Sequence, residues 1–583
     1  MNFGAIIHRT SDSFCYPLDN DTIQINLKTG YDIEKVNIIY GDPFTAGILG
    51  GNEKWTGEKL EITEKIELDY HILWKIKLKP EYKRLKYYFE IFSKNEKVYF
   101  YEDGFFYDNE LSNGQCFIKP WLNPIDVKNT PKWVNDTIWY QIFPDRFCNG
   151  DESINPINTK QWGSEKPKNE DIYGGDLRGI IEKLDYLEDL GINGIYLTPI
   201  FKAESVHKYD TIDYYEIDEA FGDKDTFREL VKKAHSKGIK IMLDGVFNHC
   251  GKNFPLWQDV LKNGPKSKYY NWFMVNKWPI DETKKGTEDK SFYSFAFTSN
   301  MPKLNTNNIE VVNYILDICE YWVKEFDIDG WRLDVANEIS HYLCKEIRRR
   351  LKNIKPEIYI LGEIWHDAID WLRGDEFDSV MNYPLQSAIT SFWNNKQMTN
   401  IDFIHKVNKC YETYMEQTNN VLFNLLDSHD TDRLIHRTKD ENIFLQQLTI
   451  LFTLVGSPCI FYGTEIALEG AHDPDCRACM PWDKIENGVY NLQIEKIKKL
   501  INLRKSIKAF RNNNIEFFND SKNPRVIKYC KKDESGSIIV TINASDSNIN
   551  VLYRNEIFSN LLDGNILKPN GILIERVENN DKI

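Results

Sequence analysis

The alternation of apolar and polar residues divides the chain into three textures. Up to about Pro124, short segments such as Thr22–Leu27, Val36–Tyr40, Leu73–Leu78 and Tyr87–Phe92 alternate with a period of two between turn formers. No segment of helical period intervenes. Residues 1–124 are therefore predicted to form a β-sandwich, with Trp121-Leu-Asn-Pro124 as its exit linker. From about Asp126, apolar strand-like runs alternate with amphipathic helices, the mark of a parallel sheet. Ile180, Ile181, Leu184, Leu187 and Leu190 fall on one face of a predicted helix that Gly191 stops. Phe227, Leu230, Val231 and Ala234 repeat the pattern before Gly238. The strand-like runs are Thr137–Phe143, Gly194–Ile200, Lys240–Phe247, Asp329–Val335, Tyr359–Trp365, Phe377–Tyr383, Val421–Asp427 and Pro458–Gly463. Eight parallel strands close a barrel, so the predicted fold is α/β, a (β/α)8 TIM barrel over residues 125–504.

Two stretches depart from that rhythm. Between His249 and Met301 lies a segment too long for a plain βα loop, predicted as an inserted subdomain of about residues 250–304 after the third strand. Its Trp272, Phe273, Phe292 and Tyr293 either shape a cleft or pack the subdomain. After about Lys505 the texture is β again, as in Arg525–Cys530, Ser537–Asn543 and Asn550–Tyr553, giving a small C-terminal β-domain over 505–583. The most apolar long stretch, Ile443 to Gly463, is interrupted by Gln446, Gln447, Gly456 and Pro458. It reads as a buried helix followed by a strand, not a membrane span.

Charge and cysteine content narrow the partners. A net charge of -15 repels phosphate and anionic headgroups, which argues against nucleic acid and membrane partners but not against a neutral ligand. The N-terminus lacks a charged region followed by an apolar stretch, so no signal peptide is evident. Eleven scattered Cys are most simply reduced thiols of a cytoplasmic protein. Cys476 and Cys479 form a CxxC without a second pair or a His tract to complete a zinc site.

In such barrels the active site lies at the C-terminal ends of the strands. The third strand ends Asp244-Gly-Val-Phe-Asn248-His249, and the fourth gives Arg332-Leu-Asp334-Val-Ala-Asn337-Glu338. The fifth ends Gly362-Glu363-Ile-Trp365-His366, and the seventh Asp427-Ser-His429-Asp430-Thr-Asp432-Arg433. A rim of structural ion pairs could explain any one of these residues, but hardly all of them. Two carboxylates on adjacent strands suit glycosidic cleavage: one attacks the anomeric carbon, the other protonates the leaving oxygen and then deprotonates water. Arg332, two residues before Asp334, points to the same face and should keep it ionised. Glu363 must instead hold a proton near neutral pH.

These four segments resemble the four main motifs of the α-amylase family, glycoside hydrolase family 13. Gly194-Ile-Tyr-Leu-Thr-Pro-Ile-Phe201, Met301-Pro-Lys-Leu-Asn305 and Gly456-Ser-Pro-Cys-Ile-Phe-Tyr-Gly-Thr-Glu465 resemble subsidiary ones. The MPKLN, VANE and GEIWH segments are similar to those of the neopullulanase, cyclomaltodextrinase and maltogenic amylase subgroup. HRTSDSF and VNIIYGDPF resemble its starch-binding-type N-terminal module. The resemblance implies Asp334 as nucleophile, Glu363 as acid/base and Asp430 as support for the distorted sugar. His249 and His429 would contact that sugar, with Tyr209 stacked on it. Asp473 and Arg477 would serve sugars toward the non-reducing end, and Glu338 and Trp365 the acceptor side. It further implies retaining hydrolysis of α-1,4 bonds in cyclodextrins, maltooligosaccharides and pullulan, some transglycosylation, and a homodimer whose N-terminal modules cover the partner's cleft. No cofactor is required for that chemistry. Asn149, Asp151, Asn155, Gly174 and Asp176 are similar to a loop that binds structural Ca2+ in some members, although Ile154 and Asn155 depart from it. Asp427 is a further departure, expected to face away from Asp430. An α-1,6-acting glucosidase or debranching enzyme, a dedicated transglycosidase and a binding protein on an inactive barrel remain alternatives.

Overall fold

A computed structural model describes residues 1–47, 55–108, 115–281, 283–284 and 286–577. The last six residues of the predicted C-terminal domain, 578–583, lie outside that range.

The N-terminal segment forms two antiparallel sheets. One pairs Cys15–Pro17, Ile23–Thr29, Ile72–Leu78 and Glu64–Glu67 in that order. The other runs Glu58–Glu61, Ile33–Gly41, Leu85–Ser93, Lys97–Tyr101 and Gly104–Phe106, with Phe117–Lys119 also on Leu85–Ser93. Ile23, Ile25 and Leu27 of one sheet and Val36, Ile38, Tyr87 and Phe89 of the other close on Trp74 as a dry core. The sandwich is bound to the barrel by the half-buried ion pair of Lys75 with Glu412, at 2.8 Å to both carboxylate oxygens. Backbone contacts add to it: the Glu416 N–H donates to the Tyr16 hydroxyl, and the Gln417 amide to the Pro17 and Leu18 carbonyls.

The barrel strands are β1 (Trp139–Ile142), β2 (Gly194–Leu197), β3 (Lys240–Gly245), β4 (Gly330–Leu333), β5 (Tyr359–Gly362), β6 (Ser379–Val380), β7 (Phe423–Leu425) and β8 (Ser457–Phe461). Seven fall inside the predicted runs, and β8 starts one residue before its run, at Ser457. They pair in parallel in the order β6-β5-β4-β3-β2-β1-β8-β7, and a parallel bridge between Met381 and Phe423 completes the ring. Alternate residues of a strand face inward. Trp139, Tyr196, Met242, Tyr359, Leu361, Phe423 and Leu425 thus fill the lower interior as an apolar plug. The inward positions one step further along β1, β3, β4 and β5 are Gln141, Asp244, Arg332 and Glu363. The charged site therefore stands directly on a packed floor.

The helix expected through Ile180–Leu190 is two, Leu177–Glu182 and Leu184–Leu190, because Lys183 leaves helical geometry at ψ 7°. Its apolar positions stay buried, and Gly191, at φ 93°, ends it. The Phe227–Ala234 pattern lies on Lys224–Ser236 as expected. The most apolar stretch is a buried helix, Glu441–Thr453, followed by β8. Among the described residues no helix is long and apolar enough to cross a membrane.

The insertion after β3 is pinned at its base by antiparallel bridges of His249 with Lys303 and Phe273 with Leu304. Trp272, Phe273 and Phe292 are buried in it, and Trp257 packs against both phenylalanines. Those three rings pack the subdomain, and Tyr293 is exposed. A six-stranded antiparallel sheet from Ile515 to Val577 ends the described chain. Asn550–Tyr553, expected as a strand, pairs only at Ile549–Asn550, while Glu556–Asp563 and Ile566–Val577 form a hairpin that the sequence reading missed.

Candidate active site

Arg332 is the centre of the charged cluster, and no part of its side chain is exposed. Its Nη1 donates to both oxygens of Asp244 at 3.0 Å and to Asp334 Oδ1 at 2.9 Å. Its Nη2 approaches Glu363 Oε2 to 2.9 Å as an ion pair, out of line for a hydrogen bond. Three buried carboxylates thus share one cation. Burial pushes the Asp244 carboxyl up to about 6, opposed by Arg332 and reinforced by Glu363. Burial raises Asp334 in the same direction, again against the pull of Arg332 and with the push of Glu363 and Asp244. The expectation that Arg332 simply keeps Asp334 ionised is therefore incomplete. The guanidinium opposes desolvation and like charges, and the net effect still favours the protonated forms of Asp244 and Asp334.

Asp244 and Glu363 also have neutral partners. Asp244 Oδ2 accepts from the Tyr196 hydroxyl at 2.6 Å and the Tyr209 hydroxyl at 3.0 Å. Glu363 Oε1 accepts from the Trp365 indole at 3.0 Å, and Oε2 from the Val335 N–H at 3.0 Å. Val335 has φ 45° and ψ 45°, a left-handed conformation costly for a β-branched residue at about 1–3 kcal/mol. That turn, directly after Asp334, aims its N–H at Glu363. Trp365 is half exposed and stacks on Tyr383 at 3.5 Å between ring centres.

Across the mouth, β7 leads into His429 and Asp430. His429 is fully buried; Gln141 Nε2 meets its Nδ1 at 2.7 Å, and the Tyr209 hydroxyl meets its Nε2 at 2.5 Å. The Tyr209 and His429 rings stack within 6° of parallel. Burial, followed by the charges of Arg477 and Arg332, drives the His429 pKa far down, so the ring is neutral. Asp430 lies 3.2 Å from His429 Nε2 and 3.3 Å from Arg477 Nη2, which also contacts Asp473 at 3.3 Å. Arg477 is fixed by its Nε donating to the His429 carbonyl at 2.8 Å.

These groups face one cavity of about 850 Å3. Asp334, Glu363, Asp430, Tyr209, His249, Trp365, Asp473 and Arg477 line it, so the structure brings together eight of the residues expected from sequence. Arg332 and His429 stand behind the wall, bonded to residues that form it. Glu338, expected on the acceptor side, is not among the lining residues; its carboxylate turns to Lys303 at 2.9 Å. Asp427 faces away as expected, accepting from the Leu434 N–H at 3.0 Å and from Thr464. Several wall residues escaped the sequence reading. From the insertion, Phe295 and Met301 line the cavity in place of the four aromatic residues considered. Val335, Asn337, the run Glu204 to His207 and the loop residues Asn158, Asn169, Glu170 and Ile172 complete it. His207 lay within the quoted motif around Tyr209, whereas nothing in the sequence marked the 158–172 loop.

The loop proposed for calcium lies elsewhere. Asn149 Nδ2 donates to Asn155 Oδ1 at 3.2 Å, and Gly174, at φ 82°, packs so tightly on both that any side chain would collide. Asp176 accepts from the backbone N–H groups of Gly150, Asp151 and Gly179, and Asp151 from Ser153. Asn149 Oδ1 is buried without a hydrogen-bond partner. That orphaned oxygen is a hard donor of the kind a cation takes, while the Asp151 and Asp176 carboxylates are bonded to backbone N–H groups and Asn155 Oδ1 to Asn149 itself.

An eight-stranded parallel barrel with paired carboxylates in a cleft at its C-terminal mouth defines the class: a barrel glycosidase. The comparisons agree. Residues 141–532 match the family described as "Alpha amylase, catalytic domain", and residues 1–123 "Alpha amylase, N-terminal ig-like domain". The chain is 45% identical over 558 residues, covering 94% of it and 92% of the relative, to a cyclomaltodextrinase of Geobacillus thermopakistaniensis. It is 45% identical over 510 residues, 87% of it and 84% of the relative, to an intracellular maltogenic amylase of Bacillus subtilis. A solved cyclomaltodextrinase superposes with a TM-score of 0.89 at 37% identity, covering 99% of this chain and 98% of that one. The chain belongs to the α-amylase family, glycoside hydrolase family 13, in its cyclomaltodextrinase and maltogenic amylase subgroup.

Proposed function

We propose that the chain hydrolyses α-1,4-glucosidic bonds of cyclodextrins, maltooligosaccharides and pullulan with retention, using Asp334 as nucleophile and Glu363 as acid/base. The observation that carries this reading is the guanidinium of Arg332 spanning both carboxylates at 2.9 Å each. One cation between them keeps the pair close, as retention needs, at roughly 5–5.5 Å between carboxyl groups. Attack by the Asp334 carboxylate at the anomeric carbon forms a neutral glycosyl ester as the bond to the leaving oxygen breaks; that oxygen takes the Glu363 proton, so the negative charge ends on Glu363. Glu363 then takes a proton from water, which releases the sugar. Asp430 accepts from ring hydroxyls as the sugar flattens toward the oxocarbenium ion. Tyr209 supplies an aromatic face, and Arg477 and Asp473 bind the next sugar.

Relatives named cyclomaltodextrinase and intracellular maltogenic amylase support the substrate class and an intracellular site of action. A homodimer is part of the same reading. Exposed Phe44 and Tyr82, both packed on the Arg84 guanidinium, offer the N-terminal domain an aromatic contact surface. A cation held by Asn149, Asp151, Asn155, Gly174 and Asp176 would tie its loop to the helix Leu177–Glu182, a structural role outside the chemistry.

The test is Asp334→Asn with β-cyclodextrin. Turnover should fall by roughly 10^4-fold or more, and NMR of the wild-type reaction should show the α-anomer first. Substantial residual turnover, or the β-anomer first, overturns the mechanism. Parallel product analysis on cyclodextrin, pullulan, starch and isomaltose ranks α-1,4 against α-1,6 cleavage.

A further inference from the structure

The motif Met301-Pro-Lys-Leu-Asn305 brings an ammonium to the site that the chemistry above does not use. Lys303 sits where the insertion returns to the barrel, bridged to His249 in antiparallel fashion, and the Leu304 N–H donates to the Asn248 carbonyl at 3.0 Å. Its Nζ donates to Asn248 Oδ1, to the Glu338 carboxylate at 2.9 Å and to the Glu338 carbonyl at 3.3 Å. An ammonium has only hydrogens to offer. It therefore decides which end of the Asn248 amide faces it: the oxygen turns to Lys303. The amide nitrogen turns to His249 Nδ1, 3.3 Å away. Asn248 is fully buried and has no solvent to turn to instead.

An amide N–H directed at Nδ1 requires that nitrogen to be the unprotonated one. The hydrogen of the neutral ring then sits on Nε2. That atom is buried and makes no hydrogen bond within the protein, although His249 lines the cavity. Phe295 holds the ring by stacking at 5.0 Å. Burial, with the Lys303 charge behind it, pushes the His249 pKa down to about 3, so the ring is neutral.

We infer that Lys303 is a positioning residue that acts through the Asn248 amide to fix His249 in its Nε2–H tautomer, so that this ring nitrogen can meet a ligand only as a donor. The opposite tautomer would present a lone pair and could only accept. Through Glu338 the same ammonium also braces the turn that follows Asp334, so one cation sets two walls of the site. The inference rests on the proposed function only for the identity of the ligand.

The test is tautomer-sensitive 1H–15N correlation NMR of the full chain labelled at histidine, with the His249 signals assigned by their loss in His249→Gln. Wild type should show a protonated Nε2 and a bare Nδ1. Lys303→Met should give mixed or reversed tautomers and lower kcat/KM about tenfold, whereas Lys303→Arg should restore both. Asn248→Asp is the second probe: it keeps an acceptor for Lys303 but puts a carboxylate at Nδ1, so the hydrogen should move to Nδ1. A wild-type ring protonated on Nδ1 overturns the inference. So does an Nε2–H pattern that survives both Lys303→Met and Asn248→Asp. A wild-type chain that cleaves no α-glucan but shows these shifts defeats the proposed function alone.

Discussion

Replacing Arg332 by Met tests the central electrostatic claim, because it removes the cation and leaves its three carboxylates in place. Arg332 contacts Asp244, Asp334 and Glu363 at 2.9–3.0 Å with none of its side chain exposed. Breaking a buried pair from one side costs about 3–5 kcal/mol, since the remaining charge is left desolvated. The cost must depend on pH. In the wild type Asp244 already titrates at about 6, above its ordinary 3.8, and Asp334 is shifted in the same direction. A carboxyl with a raised folded pKa contributes stability that is fully present below the unfolded pKa and lost as pH rises through the folded one. Without Arg332, which opposes both shifts, the folded pKa values climb further and that loss extends to higher pH. The variant should therefore be closest to wild type near pH 4, where Asp244 and Asp334 are protonated in the folded chain. It should be most destabilised at pH 8. Scanning calorimetry of both proteins at pH 5 and pH 8, at one scan rate, measures this. A melting-temperature deficit that is equal at both pH values, or larger at pH 5, would refute the shared-cation account. Arg332→Lys should lie between the two, because one ammonium cannot span three carboxylates.

Three further outcomes follow from contacts at the cavity. Tyr209→Phe keeps the face stacked on His429 but loses the hydroxyl bonded to Asp244 at 3.0 Å and His429 at 2.5 Å. Steady-state kinetics on β-cyclodextrin should show kcat/KM lower by about 5–30-fold, from about 1–2 kcal/mol for buried hydrogen bonds; a value within twofold of wild type would count against it. Trp365→Phe retains the stack on Tyr383 and loses the indole donor to Glu363. It should reduce kcat by about 3–10-fold with little change in KM, and a change in KM alone would assign Trp365 to binding only. Dialysis against a chelator should lower the melting temperature and calcium should restore it, by about 2.7 kcal/mol at a hundredfold excess over Kd, with kcat at 25 °C unchanged. Indifference of the melting temperature to both treatments would leave the Asn149 loop without a metal.

The barrel was legible because its strands are buried on both faces and read as continuous apolar runs, and because inward positions alternate strictly. Trp139 before Gln141 and Leu361 before Glu363 already carry the floor and the charged layer in their spacing. Asp334 and Glu363 were legible for a related reason: each directly follows the last strand residue, Leu333 or Gly362, at a position where a charge has no packing role. The contacts across the ring were not. Gln141 meets His429 across 288 residues of chain, and Tyr140 and Tyr186 meet Glu465 across 325 and 279. Glu338 shows what that distance costs a sequence reading. The resemblance put it on the acceptor side, but its carboxylate is held by an ammonium 35 residues away. Val335 makes the same point within a single residue. Nothing in its identity announces a left-handed turn, and β-branching argues against one, yet the conformation delivers its N–H to Glu363. The strain is sustained because Val335 is held on both sides, by Asp334 bonded to Arg332 and by Ala336, whose N–H donates to the Glu363 carbonyl at 3.2 Å. The residues that react can thus be read from local pattern, whereas the protonation and orientation that let them react are properties of the closed ring.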